Sequence, residues 1–150
     1  MAIIKSFKEL DVWRNAMDAA MLIFKLTRAF PAEERYSMTD QIRRSSRSVA
    51  ANIAEAWRRR RYRAAFLNKL NESECEAAET QTWVEFALRC GYIDRDFSEQ
   101  LSENYDRIIG QLVKMAVQAD KWVIAESENE YSSPDVTLEA EPNTEEDQGV

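Results

Sequence analysis

Turn-forming residues are almost missing from this chain. Its 150 residues hold three Gly and three Pro, and two of the prolines, Pro134 and Pro142, fall near the C-terminus. A fold of many short strands needs a turn about every 8–12 residues, so the chain cannot supply one. Helix is what remains. The length suits one domain with a tail, and a helical body of this size buries roughly two-thirds of the surface its unfolded chain exposes.

Hydrophobic periodicity predicts four helices. The first runs from about residue 10 to 28, or starts a turn earlier if Ser6 and Glu9 form a capping box. Its apolar residues make two rows, Leu10, Trp13, Met17, Ala20 and Phe24 beside Val12, Ala16, Ala19, Ile23 and Leu26. That arc is wider than the ~100° stripe of a helix packed on one side. The second opens near Ser37, whose spacing to Asp40 resembles a capping box, and carries Met38, Ile42, Ser45, Val49, Ile53 and Ala56 inward before ending between 57 and 62. The third takes up by 64 and reaches 90, with Phe66, Leu70, Ser73, Ala77, Gln81, Val84 and Leu88 inward. Gly91 then stops it and Asp94 caps the fourth. There Leu101, Tyr105, Ile108, Leu112, Met115, Ala119 and Trp122 recur at four and three, a coiled-coil-like period. Ile109, Val113, Ala116 and Val123 lie alongside.

Short connections make an antiparallel, up-and-down four-helix bundle over residues 1–127 the natural arrangement. The surplus apolar arc on the first and fourth helices points to self-association. Residues 128–150 lose all periodicity and read as a disordered acidic tail. The tail is a solubilising extension on its plainest reading. On a sharper one its acids fold back and compete with a polyanion.

Several chemistries are disfavoured. The chain has no histidine, which removes the usual general base near neutral pH. It also removes the Glu-x-x-His pairs of a di-metal bundle, although Glu72, Glu76 and Glu79 share a helix face. No Gly-rich phosphate loop or nucleophile elbow is present. Cys75 and Cys90 lie about 22 Å apart along one helix, beyond disulfide reach. No stretch approaches the ~20 apolar residues of a membrane span, and the short apolar start is no signal peptide. A cytoplasmic protein with no enzyme activity, no cofactor and no metal is the expectation.

Charge is the informative feature. The net −7 hides a body near neutrality and a strongly acidic tail, since residues 128–150 hold eight acids and no Lys or Arg. Between 43 and 63 stand eight arginines against one acid, Glu55. Arg43, Arg44, Arg47 and Arg58 fall on one arc of the second helix, opposite Ile42, Val49 and Ile53. Arg61 joins them if the helix continues. Arg59, Arg60 and Arg63 extend the field, and Trp57 and Tyr62 bracket the run as candidates for stacking on bases. Guanidinium groups suit bidentate phosphate contact. The plain alternative is a solvated basic face paired with acids of the third helix or of another subunit. The functional reading is a polyanion partner, RNA or DNA before an acidic protein surface.

Several stretches resemble one bacterial family, the four-helix-bundle proteins encoded within intervening sequences of 23S rRNA genes. They are Phe7-x-x-Leu10-Asp11-Val12-Trp13-x-x-Ala16, Phe30-Pro31-x-x-Glu34-x-Tyr36, Gln41-Ile42-Arg43-Arg44-Ser45, Ser48-Val49-x-x-Asn52-Ile53-Ala54-Glu55, Ser73-x-x-Glu76, Glu79-Thr80-Gln81 and Gly91-Tyr92-Ile93. The chain departs at Ala56 and Glu72, where the family tends to have Gly, and both changes favour continuous helix. The resemblance implies an antiparallel bundle assembling as a ring-like homopentamer. Related accessory proteins of diversity-generating retroelements partner with a reverse transcriptase and nucleic acid. Asn52, Glu55, Glu76 and Glu79 match the family motif and read first as an interhelical hydrogen-bond set, because polar residues beside a core need partners.

Overall fold

In the computed structural model, which describes residues 3–124, every regular element is helical. The α-helices are α1 (Asp11–Thr27), α2 (Met38–Arg58), α3 (Arg63–Arg89) and α4 (Arg95–Val117). Short 3₁₀ turns stand at Phe7–Glu9, Ala32–Glu34 and Ala119–Lys121. Helix α1 packs on α2, α2 on α3, α3 on α4, and α4 closes the ring on α1. The antiparallel four-helix bundle is thus the observed architecture. The expected acidic tail over 128–150 lies outside the described residues.

The helix ends follow local chemistry. The Ser6–Glu9 capping box forms, but it caps the 3₁₀ turn, and α1 starts only at Asp11. The expected Ser37 cap does not form; the first helical N–H, that of Met38, is taken by Glu34 Oε2 at 3.1 Å. Past Arg89 the chain turns on Gly91 at φ +77°. Tyr92 N–H reaches Ala87 O at 2.9 Å and Gly91 N–H reaches Leu88 O at 3.0 Å, the double closure of a Schellman stop. Asp94 Oδ1 then accepts the Phe97 N–H at 2.7 Å to open α4.

One core fills the bundle. Ile23, Ile42, Val49, Phe66, Leu70, Leu101, Tyr105, Ile108 and Leu112 have essentially no exposure. The α2–α3 seam is lined with small residues, Ser45, Ala56, Ser73, Ala77 and Thr80, all buried. Its polar atoms are matched across the helices. Ser73 Oγ donates to Val49 O at 2.8 Å, and Thr80 Oγ1 lies 2.8 Å from Ser45 Oγ. Ala56 sits inside this seam and Glu72 inside α3, so both departures from the family glycines fall within unbroken helix.

The first row of α1 is only partly covered. Met17 and Met21 stay exposed and Trp13 and Phe24 half-buried, as are Val113 and Val117 on α4 exposed. Tyr92 Oη donates to Glu34 Oε1 at 3.1 Å, tying the 90–94 connection to the 28–37 connection at one end of the bundle. The 59–62 connection lies at the other end. Among the described residues, no helix is long and apolar enough to cross a membrane.

Candidate nucleic-acid interface

The eight arginines do not form one rim. Neighbours on a helix point about 100° apart, and that angle sends Arg43 and Arg44 to opposite partners. Arg43 turns to α1, where its Nε donates to Thr27 Oγ1 at 2.8 Å. Arg44 turns to α3, pairing with Glu76 at 3.3 Å and with Glu79. The hydrogen bond that Arg44 donates to Glu76 and the field of both acids hold its guanidinium above the usual range. Its charge is neutralised within the chain, so Arg44 is withdrawn as a free phosphate contact. Arg47 stays on the α1 side, 6.0 Å from the Phe24 ring centroid.

The second group stands at the far end of α2. Arg58 lies eleven residues beyond Arg47, about 16 Å at 1.5 Å per residue. Helix α2 ends at Arg58, so Arg61 lies in the turn and does not join the helical arc. Arg58 and Arg59 are exposed and form no ion pair among the described residues. Arg63 pairs with Asp120. Arg60 has a different task. Its Nε donates to Trp57 O at 2.9 Å, and its guanidinium sits 3.4 Å from the centroid of the Trp57 ring. Burial, and then repulsion from Arg58, pushes Arg60 below the usual guanidinium range.

Trp57 is therefore not a stacking platform for bases. It is 6% exposed, lies edge-on to Trp122 at 6.4 Å, and is covered by Arg60. Tyr62 is the accessible ring of the pair, 49% exposed. The backbone returns to this place at the end of α4, where Ile124 N–H donates to Arg60 O at 2.9 Å.

The four family-motif residues do not make one hydrogen-bond set. Glu76 and Glu79 hold Arg44, while Glu55 joins Glu72 on Lys69 at 2.8 and 2.7 Å. Those two acids raise Lys69 above its ordinary range, Glu55 first. Asn52 is half-buried and makes no side-chain hydrogen bond among the described residues. The set is two separate cation bridges between α2 and α3. No group of three His, Cys, Asp or Glu side chains is placed to hold a metal ion among the described residues.

Reading the sequence missed Arg28 and Arg35. Both line an open cavity of about 820 Å³ together with Arg43, Arg44 and Arg47. Arg28 had a signal, its spacing of four from Phe24 on one helix, and its guanidinium does lie 4.6 Å from that ring centroid. Arg35 had none, because only the fold of the 28–37 connection brings it there.

Residues 8–114 match the family model described as 23S rRNA-intervening sequence protein. A crystal structure of a protein of unknown function from the S23 ribosomal protein family, from Bacteroides thetaiotaomicron VPI-5482, is 34% identical. The match covers 70% of this chain and 97% of that one, with a TM-score of 0.64. No curated protein matches.

Proposed function

The chain belongs to the 23S rRNA-intervening sequence protein family, and from that premise we propose that it is a non-catalytic, cytoplasmic accessory protein that binds nucleic acid as a homo-oligomer. The carrying observation is the turn between α2 and α3. Arg58 and Arg59 face solvent there and form no ion pair among the described residues, beside Arg61. Cations packed this closely repel one another, and an approaching phosphate backbone relieves that repulsion while releasing its own counterions. The contacts are to phosphate, so binding tolerates any sequence. The finer form of the reading has this protein serving an RNA or a reverse transcriptase of the retroelement type, as a homopentamer.

A second reading is a protein-only scaffold, and a specific observation favours it. Trp13, Met17, Met21 and Phe24 line an apolar groove of about 540 Å³ between α1 and α2, and Val117 on α4 is 81% exposed. These faces support self-association under either reading. Light scattering is expected to return a multiple of the 17.4 kDa protomer, and a monomer at working concentration would count against assembly.

Salt separates the two readings. Engaging about three phosphates predicts that log K falls against log salt with a slope of roughly −3 on B-DNA, less on single strands. Anisotropy of a labelled oligonucleotide over a salt series measures it. No binding at low salt would leave the scaffold.

A further inference from the structure

Three guanidinium groups crowd one phenyl ring. Arg28 lies 4.6 Å, Arg43 4.9 Å and Arg47 6.0 Å from the Phe24 centroid. None of the three forms an ion pair among the described residues. The ring face attracts each cation modestly, but the three repel one another. Arg43 is also fixed in place. Thr27 Oγ1 donates to Ile23 O at 2.8 Å and accepts from Arg43 Nε at 2.8 Å. Both terminal nitrogens of Arg43 are left without a protein partner among the described residues.

All three arginines line the 820 Å³ cavity at the end of the bundle where α1 hands over to α2. Arg35 and the paired Arg44 line it too, with Asp40 as the single carboxylate of the lining. The space falls within the roughly 300–1,000 Å³ of small-molecule sites. Water takes about 30 Å³ per molecule, so one inorganic phosphate would leave most of the cavity to solvent. Guanidinium forks fit phosphate oxygens two at a time. A chain of phosphates fits both the charge and the room.

We propose that this cavity is a binding site for an oligophosphate, gripped by Arg28, Arg43 and Arg47 with Arg35 at its rim. Such a chain has two sources, a free nucleoside triphosphate or the 5′-triphosphate end of an RNA. Only the second rests on the nucleic-acid reading above. The site is separate from the α2–α3 turn, since the two arginine groups occupy different halves of α2.

Titration calorimetry of the whole chain with sodium tripolyphosphate tests the proposal. Saturable binding at one site per protomer is expected. Arg28→Gln and Arg47→Gln should each weaken it about tenfold or more, the worth of one charge-assisted contact. Arg43→Gln should do the same, but it also breaks the bond to Thr27, so the two exposed positions carry the test. Arg107→Gln, on the exposed face of α4, should leave the affinity unchanged. ATP matching tripolyphosphate, with no advantage for a 5′-triphosphate RNA over the same RNA ending in 5′-hydroxyl, assigns the free nucleotide. An advantage of about tenfold assigns the RNA end. Absence of saturable tripolyphosphate binding, or binding unchanged in Arg28→Gln and Arg47→Gln, overturns the site. That titration contains no nucleic acid, so its failure leaves the reading of the α2–α3 turn standing. Loss of oligonucleotide binding with tripolyphosphate still bound would do the reverse.

Discussion

Phe66→Ala is expected to destabilise the bundle by about 3–5 kcal/mol, the usual cost of emptying a buried aromatic site. Phe66 has no exposure and sits in the first turn of α3, its N–H on Tyr62 O at 2.9 Å. Its ring belongs to the core at the start of α3, close after the arginine turn. The Ser73–Val49 bond ties α3 to α2 about two turns further on, which limits how far the cavity can collapse. Domains of this size are stable by about 5–15 kcal/mol in total, and the loss is therefore a large share. Phe86 on the same helix is the control. It is 50% exposed and lies against Trp83 at 5.6 Å, so Phe86→Ala should cost less than about 1 kcal/mol. Denaturant titration reads both as midpoint shifts at constant slope. Equal shifts for the two would contradict the packing described for α3.

Why the architecture was legible, and the site less so, comes down to which interactions are local. The fourth-helix heptads name Leu101, Tyr105, Ile108, Leu112 and Met115 within α4, and all five are buried, because one helix's period decides which face meets the core. Beyond the end of α4 at Val117, Ala119 is still buried in the 3₁₀ turn, while Trp122 after it is only half-buried, edge-on to Trp57. Gly91 and Asp94 could be read in place, since a stop and a cap depend on a few neighbouring residues. Ser37 looked equally good, but its side chain caps nothing, and among the described residues the one side-chain acceptor at this helix start is Glu34 of the preceding connection, on the Met38 N–H. In α1 the residue pattern gave two apolar rows without saying which would be covered, and the Trp13–Met17 row stays partly open along the groove it shares with α2.

Side chains of charged residues are harder. A helical wheel groups Arg43 and Arg44 together, yet which neighbouring helix each reaches depends on where Thr27, Glu76 and Glu79 stand in three dimensions. Trp57 beside four arginines resembles a stacking platform until the fold buries it against Trp122 and lays Arg60 over it. The composition told that positive charge was abundant. Only the fold could divide it into one arginine spent on α3, one covering a tryptophan, three around Phe24, and an exposed group at the turn.

That division sets the sharpest test of the proposed function. Reversing all four arginines at 58–61 would also strip Arg60 from Trp57 and confuse a packing defect with a binding defect. The cleaner variant is Arg58→Glu, Arg59→Glu and Arg61→Glu together, with Arg60 kept. Each lost phosphate contact is worth about 1.5–3 kcal/mol as a charge-assisted bond, so three should lower nucleic-acid affinity on the order of 10³-fold or more. The salt slope should shrink by about three, leaving little of the original dependence. Repulsion between the new carboxylates and the phosphate backbone adds to the loss, whereas exposed positions contribute little to folding, typically within 0.5 kcal/mol each. Melting temperature and light-scattering mass are thus expected to hold while binding collapses. Affinity and slope that both survive the reversal would move the interface elsewhere on the bundle.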